Sequence, residues 1–119
     1  MSAPAAFRAA VVEDFGPEVN VRDVDLPKPD RHQALVKLHA SGVCHTDLHA
    51  AEGDWPVKPQ PPFVPGHEGV GEVVELGPGD HDVKVGDIVG NVWLWSACGT
   101  CEHCRTGWET LCNEAEYGG

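Results

Sequence analysis

Between positions 98 and 112 the chain reads Cys98-Gly-Thr-Cys101-Glu-His-Cys104, then seven residues, then Cys112. No other feature restricts the fold as tightly. The two Cys-x-x-Cys steps let consecutive sulfurs converge on one ion, and Cys112 closes the tetrahedron from the far side of a loop. Four thiolates leave no vacancy, so the expected site is a closed structural zinc site. The residues between the ligands are small or polar, as a tight metal-wrapped loop requires. Thiolates bind in the deprotonated form, so the metal stabilises the loop strongly and its loss should loosen it. Iron with the same four ligands meets the spacing equally well. Disulfides are the other reading. They conflict with the N-terminus, MSAPAAFRAAVVEDFG, which has no basic segment followed by a long apolar core. That pattern predicts a cytoplasmic protein, where clustered cysteines are metal ligands more often than disulfides. His103 sits inside the cluster, but with the shell already filled it reads as a surface residue.

The rest of the chain constrains class more than chemistry. Its 119 residues suit one domain. No apolar run approaches the ~20 residues of a membrane span. With 19 Asp+Glu against 8 Lys+Arg, and a net charge of −11, it has little to offer a phosphate backbone. Neither nucleic acid nor a membrane is an expected partner. The 14 glycines and 10 prolines make up about a fifth of the chain, above the usual ~12%, which argues for turns and short strands. Strands are expected at Phe7–Glu13 and Val19–Leu26, split by the turn Phe15-Gly16-Pro17. The second alternates apolar and polar residues, the signature of a half-buried strand. Gln33–Ala40 alternates again, with Leu35, Lys37 and His39 on one face. Cys44–Glu52 lacks a β-branched run and reads as a short helix stopped by Gly53. Asp54–Pro65, with five prolines, is a surface loop. His67–Leu76 is a strand whose Gly69 and Gly71 mark a bulge or a close backbone approach. Val83–Val92 is a further strand broken at Gly86-Asp87, and from Ala97 a cysteine-rich loop takes over. The final residues, Glu116 to Gly119, resemble neither a polar tail nor a helix end. The expected class is mainly β with one short helix.

A second constellation lies upstream. Cys44-His45-Thr46-Asp47-Leu48-His49 and Gly66-His67-Glu68 each join a metal-ligand residue to a carboxylate. One thiolate and one imidazole could form part of a catalytic zinc site, which uses three protein ligands and keeps a fourth position open. Taken separately, each motif is modest. A single histidine is more often a satisfied surface or core residue, and a single cysteine an inert apolar side chain.

The ordered run Ser41-Gly-Val-Cys-His-Thr-Asp-Leu-His49, Gly-Asp-Trp55-Pro, Pro-Gly-His-Glu-Gly69, Val85-Gly-Asp87 and the four-cysteine loop resembles the zinc-dependent alcohol dehydrogenases of the medium-chain dehydrogenase family, in their microbial tetrameric flavour. The resemblance runs from about Phe7 to the C-terminus. It implies a GroES-like, partly open β-barrel, zinc-assisted hydride transfer from a small alcohol to NAD or NADP, and a homo-oligomer, tetramer or dimer, when full-length. By the same resemblance Cys44 and His67 are catalytic-zinc ligands, Glu68 lies beside the metal, and Asp47 orients the ligand histidine. Thr46 matches the hydroxyl that takes the substrate's proton, and His49 the relay's outlet to solvent. His45 matches the position that meets the cofactor pyrophosphate. Trp55 and Trp93 match aromatic walls of the substrate pocket, which hints at small primary alcohols; core packing is the alternative for both.

Two departures matter. A third catalytic-zinc cysteine is absent, since all five cysteines are already assigned. No Gly-x-Gly-x-x-Gly joins a strand to a helix, so the dinucleotide-binding half is absent too. The expectation is that residues 1–119 are the N-terminal part of a catalytic domain, inactive alone. The rivals are a stand-alone zinc-binding or interaction module, and a related aldehyde or polyol dehydrogenase.

Overall fold

The computed structural model describes residues 6–56 and 59–118. Met1–Ala5, read above for a leader, Val57 and Lys58 of the proline-rich loop, and Gly119 lie outside the described residues.

Strand β1 (Ala6–Val11) pairs antiparallel with β2 (Asn20–Asp25), Val11 opposite Asn20. The core begins on β1: Ala9 and Val11 alternate inward, and Val12 is fully buried where it bridges Phe63 across the proline loop. The alternation on β2 predicts a half-buried strand, but Val21 is 62% exposed. No layer among the described residues covers that face, so the pattern marks a strand without the burial it normally signals.

A second sheet carries β3 (Ala34–Ser41), β4 (Gly69–Leu76) and β5 (Ile88–Gly90) in that order, all antiparallel. The register between β3 and β4 shifts at Leu35/Val36 and at Leu38/Ala40. These irregularities break the strict two-residue alternation read for β3, and Leu38 is exposed. Gly71 explains itself here, because a methyl group on it would run into the Lys37 carbonyl. The two backbones pass as closely as a glycine inside a strand implies.

The strand expected over Val83–Val92 is shorter. Its first half is a turn, in which Asp87 accepts the Lys84 N–H at 3.0 Å and its carbonyl accepts from Val73. The Lys84 N–H, followed by the Lys84 side chain, holds the Asp87 carboxyl below its ordinary range. A side-chain oxygen competing for a strand N–H favours the turn, and only Ile88–Gly90 continues the ladder.

Helix α1 (His45–Glu52) forms as expected. Asp47 accepts the backbone N–H of the capping residue Cys44 at 3.1 Å, satisfying a donor at the helix start. Gly53 ends it in the left-handed conformation (φ 74°), with Phe15 packed against its bare Cα. Ala50 and Ala51 bury the helix against the β1–β2 connection, where Gly16 donates to the Ala51 carbonyl.

The region expected to be loop from Ala97 holds three further elements, and a short strand precedes it. Strand β6 (Leu94–Ser96) pairs with β7 (Glu116–Tyr117), and helix α2 (Glu102–Arg105) and a 3-10 turn (Glu109–Leu111) lie between them. Among the described residues the architecture is mostly β, in three sheets that do not close. The radius of gyration is 15.5 Å and the shortest principal extent 21 Å. A compact chain of this length would have a radius near 13.5 Å, so the layers are thin and much apolar surface stays open.

Candidate metal centres

The first centre is built almost entirely from local chain. Cys98 follows β6 by two residues, Cys101 caps α2, Cys104 lies on α2, and Cys112 ends the 3-10 turn. Their four sulfurs lie within 4.8 Å of one another, and Cys98 and Cys104 sulfurs are 3.9 Å apart. A tetrahedron with a metal–sulfur bond of about 2.3 Å has edges of about 3.8 Å, so the donor set fits zinc in kind and spacing. All five cysteines of the chain are free.

Backbone N–H groups aim at the sulfurs. Thr100 and Cys101 donate to Cys98 Sγ at 3.5 and 3.3 Å, Cys104 to Cys101 Sγ at 3.5 Å, and Cys98 and Glu114 to Cys112 Sγ at 3.4 Å each. Such donors favour the ionised thiol. The Thr100 N–H, then the Cys101 N–H, draw Cys98 down to about 6, whereas burial pushes Cys104 up to about 12. Four neighbouring thiolates repel, and a divalent cation is what lets all four ionise together. The single turn of α2 belongs to this geometry, since its capping residue Cys101 accepts the Cys104 N–H. The sequence reading had no signal for it beyond the ligand spacing. His103, read as a surface residue, is half-buried on α2 and stands outside the ligand group.

The second centre collects residues from one end of the three-stranded sheet. Ser41 at the end of β3 pairs with Gly69 at the start of β4, and the Gly42 N–H donates to the Glu68 carbonyl at 3.1 Å. Just beyond that pairing, past the end of β3 and ahead of the start of β4, lie Cys44, which caps α1, and His67. One ligand atom from each of Cys44, His67 and Glu68 falls within 4.8 Å of the others. Gly69 N–H donates to Asn91 Oδ1 at 2.6 Å, which ties the end of β5 to the same place.

Asp47 lies against both candidate ligands. One oxygen takes the Cys44 N–H; the other lies 3.2 Å from His67 Nδ1. The second approach forms no hydrogen bond, and Nδ1 is a buried nitrogen without a partner. With Nδ1 turned to Asp47, Nε2 is the nitrogen left for a ligand role. Two protein ligands and a nearby carboxylate fit a metal site that keeps a position open.

The other expected residues gather nearby. The His67 ring meets Trp93 edge-on at 4.9 Å, and Trp93 meets Trp55 in a T-shape at 6.4 Å. Both tryptophans are half-buried. Trp55 also lies 6.0 Å from His49, whose ring is 4.6 Å from His45, one helical turn earlier. His49 Nδ1 is paired with Asp54 Oδ1 at 2.9 Å. Thr46 sits half-buried on the first turn of α1, and its hydroxyl joins none of these pairs. The sequence reading missed Tyr117, which stacks on Trp93 at 5.1 Å, and Asp54. Tyr117 arrives through the β6–β7 register, and no local pattern encodes that pairing. An aspartate one turn beyond His49 was the available signal for Asp54.

Residues 30–119 match the family model described as alcohol dehydrogenase GroES-like domain. An alcohol dehydrogenase of Moraxella sp. (strain TAE123) is 57% identical over 95% of this chain and 33% of its own length. One from Geobacillus stearothermophilus is 56% identical over the same shares. Among solved structures, a cobalt- and zinc-bound thermostable alcohol dehydrogenase from Pyrobaculum aerophilum superposes with a TM-score of 0.82 at 32% identity, over 92% of this chain and 33% of that one. The chain thus spans about a third of the length of these relatives. The family model takes in both cysteine-bearing centres and the sheet that joins them, and the chain belongs to the alcohol dehydrogenase GroES-like domain family.

Proposed function

We propose that residues 1–119 are the N-terminal part of the catalytic domain of a zinc- and NAD(P)-dependent alcohol dehydrogenase, acting on small primary alcohols. The observation that carries this reading is the Cys44–His67–Glu68 cluster, braced by Asp47 and walled by Trp93. Zinc bound there supplies Lewis-acid polarisation of the substrate oxygen. Cys44 and His67 hold the ion, and Asp47 fixes the ring of His67 so that Nε2 faces it. Trp55 and Trp93, at right angles, narrow the space beside His67 and favour short alcohols. Thr46 and His49 are three residues apart on α1 and so neighbours on its surface. Thr46 takes the substrate proton, and His49, steadied through Nδ1 by Asp54, passes it to solvent through Nε2. His45 meets the cofactor pyrophosphate.

The test is Cys44→Ser in the full-length protein. Oxidation of ethanol or propanol should be lost together with one zinc per chain, while the four-cysteine zinc remains. Normal activity in this variant would end the assignment. Activity on sorbitol but not on ethanol or propanol would move the enzyme to the polyol dehydrogenases. A second reading, a zinc-binding module, draws on the four-cysteine centre, whose ligand set is complete within these residues. By that reading the chain alone carries about one zinc and does no chemistry.

A further inference from the structure

Gly42 lies between the end of β3 and the Cys44 cap of α1, exposed and outside every ligand set. Its backbone is not in the left-handed region, so an alanine there meets no conformational strain. What an alanine would meet is one side chain. The three atoms nearest to a Cβ built on Gly42 are Glu68 Oε2, Cδ and Cβ, and the contact with Oε2 is far inside any tolerated separation. The Gly42 N–H meanwhile donates to the Glu68 carbonyl at 3.1 Å, so the two residues are locked together by their backbones and cannot drift apart to make room. The Glu68 carboxylate therefore occupies the volume that a side chain at position 42 would fill. That same carboxylate has an oxygen within 4.8 Å of Cys44 and His67 ligand atoms.

We propose that Gly42 is a positioning residue: the absence of its side chain is what lets the Glu68 carboxylate rest beside the Cys44–His67 pair, in reach of a metal held there. The proposal rests on the reading of Cys44 and His67 as metal ligands. A carboxylate poised next to a metal with an open position offers a place for the ion to lean as it gains or loses another ligand, and so governs how readily the ion leaves. With an alanine at 42 the carboxylate must swing out of its present seat. The effect should appear in metal exchange and in the ligand field, through Glu68 alone.

A double-mutant cycle in the full-length protein tests this, with Gly42→Ala, Glu68→Ala and the pair. The readouts are the rate at which a chelator removes metal from the site and the visible absorption bands of the cobalt-loaded protein. Gly42→Ala is expected to change the removal rate about tenfold, the lower end of what neighbours of metal ligands contribute, and to shift the cobalt bands. In the Glu68→Ala background the same substitution should change the rate less than about twofold and leave the bands in place. Equal effects of Gly42→Ala in both backgrounds, or none in either, would overturn the proposal. Cys44→Ser separates the two layers of inference: if the ion removed by the chelator is still held at full stoichiometry in that variant, the metal reading itself is wrong.

Discussion

The two candidate metal centres differ in their donors and are assembled in opposite ways. The four-cysteine centre takes every ligand from residues 98–112, within one excursion of the chain. The Cys44–His67 centre takes its parts from the end of β3, the start of β4, the first turn of α1 and the approach to β6. In the first, the spacing of ligands already brings sulfurs together, and backbone N–H groups of the same loop point at them. In the second, nothing local brings Cys44 to His67; the Ser41–Gly69 pairing does. Closing a loop of 23 residues in place of one of eight costs only about 1 kcal/mol more, so loop length is a small part of the difference. The larger part is that a local centre needs only its ligands and its ion, whereas a distributed centre needs a sheet. A closed site follows from the first and an open one from the second, since a sheet end leaves a face for something else to approach.

Breaking one thiolate should separate the centres most sharply. Cys112→Ser is expected to release one metal ion and to open residues 97–115 to protease, because a four-thiolate zinc contributes on the order of 10–16 kcal/mol to the order of its loop. Metal analysis and limited proteolysis read this directly. If the metal stayed, the local centre would not be the four-thiolate site its geometry indicates, and the comparison would collapse.

A smaller effect is expected at Asp47. Asp47→Ala removes the carboxylate beside His67 Nδ1 and the acceptor of the Cys44 N–H together. Metal affinity of the distributed centre should fall about 10- to 100-fold, with about 1 kcal/mol lost from the start of α1. Affinity at the four cysteines should not move. Competition titration against a coloured chelator resolves the two sites, and a loss at both would show that they are coupled through more than the chain.

The smallest effect belongs to Tyr117. Tyr117→Ala deletes the stacked ring on Trp93 and is expected to cost about 1 kcal/mol, seen as a lowered Tm. Metal content should be unchanged at either centre. A loss of metal from the Cys44–His67 centre would mean that Trp93 holds His67 in place more firmly than an edge-on contact implies.

Much of this was legible in the sequence, and unevenly so. The Cys-x-x-Cys steps, the helix from Cys44 to Gly53 and the strands β1, β3 and β4 could be read because each is encoded by its own residues. The resemblance carried Cys44, His67 and Glu68 toward one another where spacing could not, and the ladder between β3 and β4 is the physical reason they meet. What escaped depends on partners remote in sequence. β6 and β7 are two or three residues long and exist because they pair. Tyr117 reaches Trp93 only through that pairing. The Val83–Val92 stretch misled because Asp87 takes the Lys84 N–H for a turn. β2 misled in another way, since Val24 is half-buried as its pattern implied and Val21 is not.

The β6–β7 pairing carries a consequence for modularity. Leu94 and Tyr117 face each other across the ladder, so the chain leaves the body of the protein and re-enters it at points only about 5 Å apart. A segment with adjoining ends can be exchanged without stretching what remains. The cysteine lobe is therefore portable: a short turn could replace it here, and a hairpin of matching width elsewhere could receive it, metal site included. Its boundary is drawn by a pair of strands, where most separable parts of a protein are marked off by a linker.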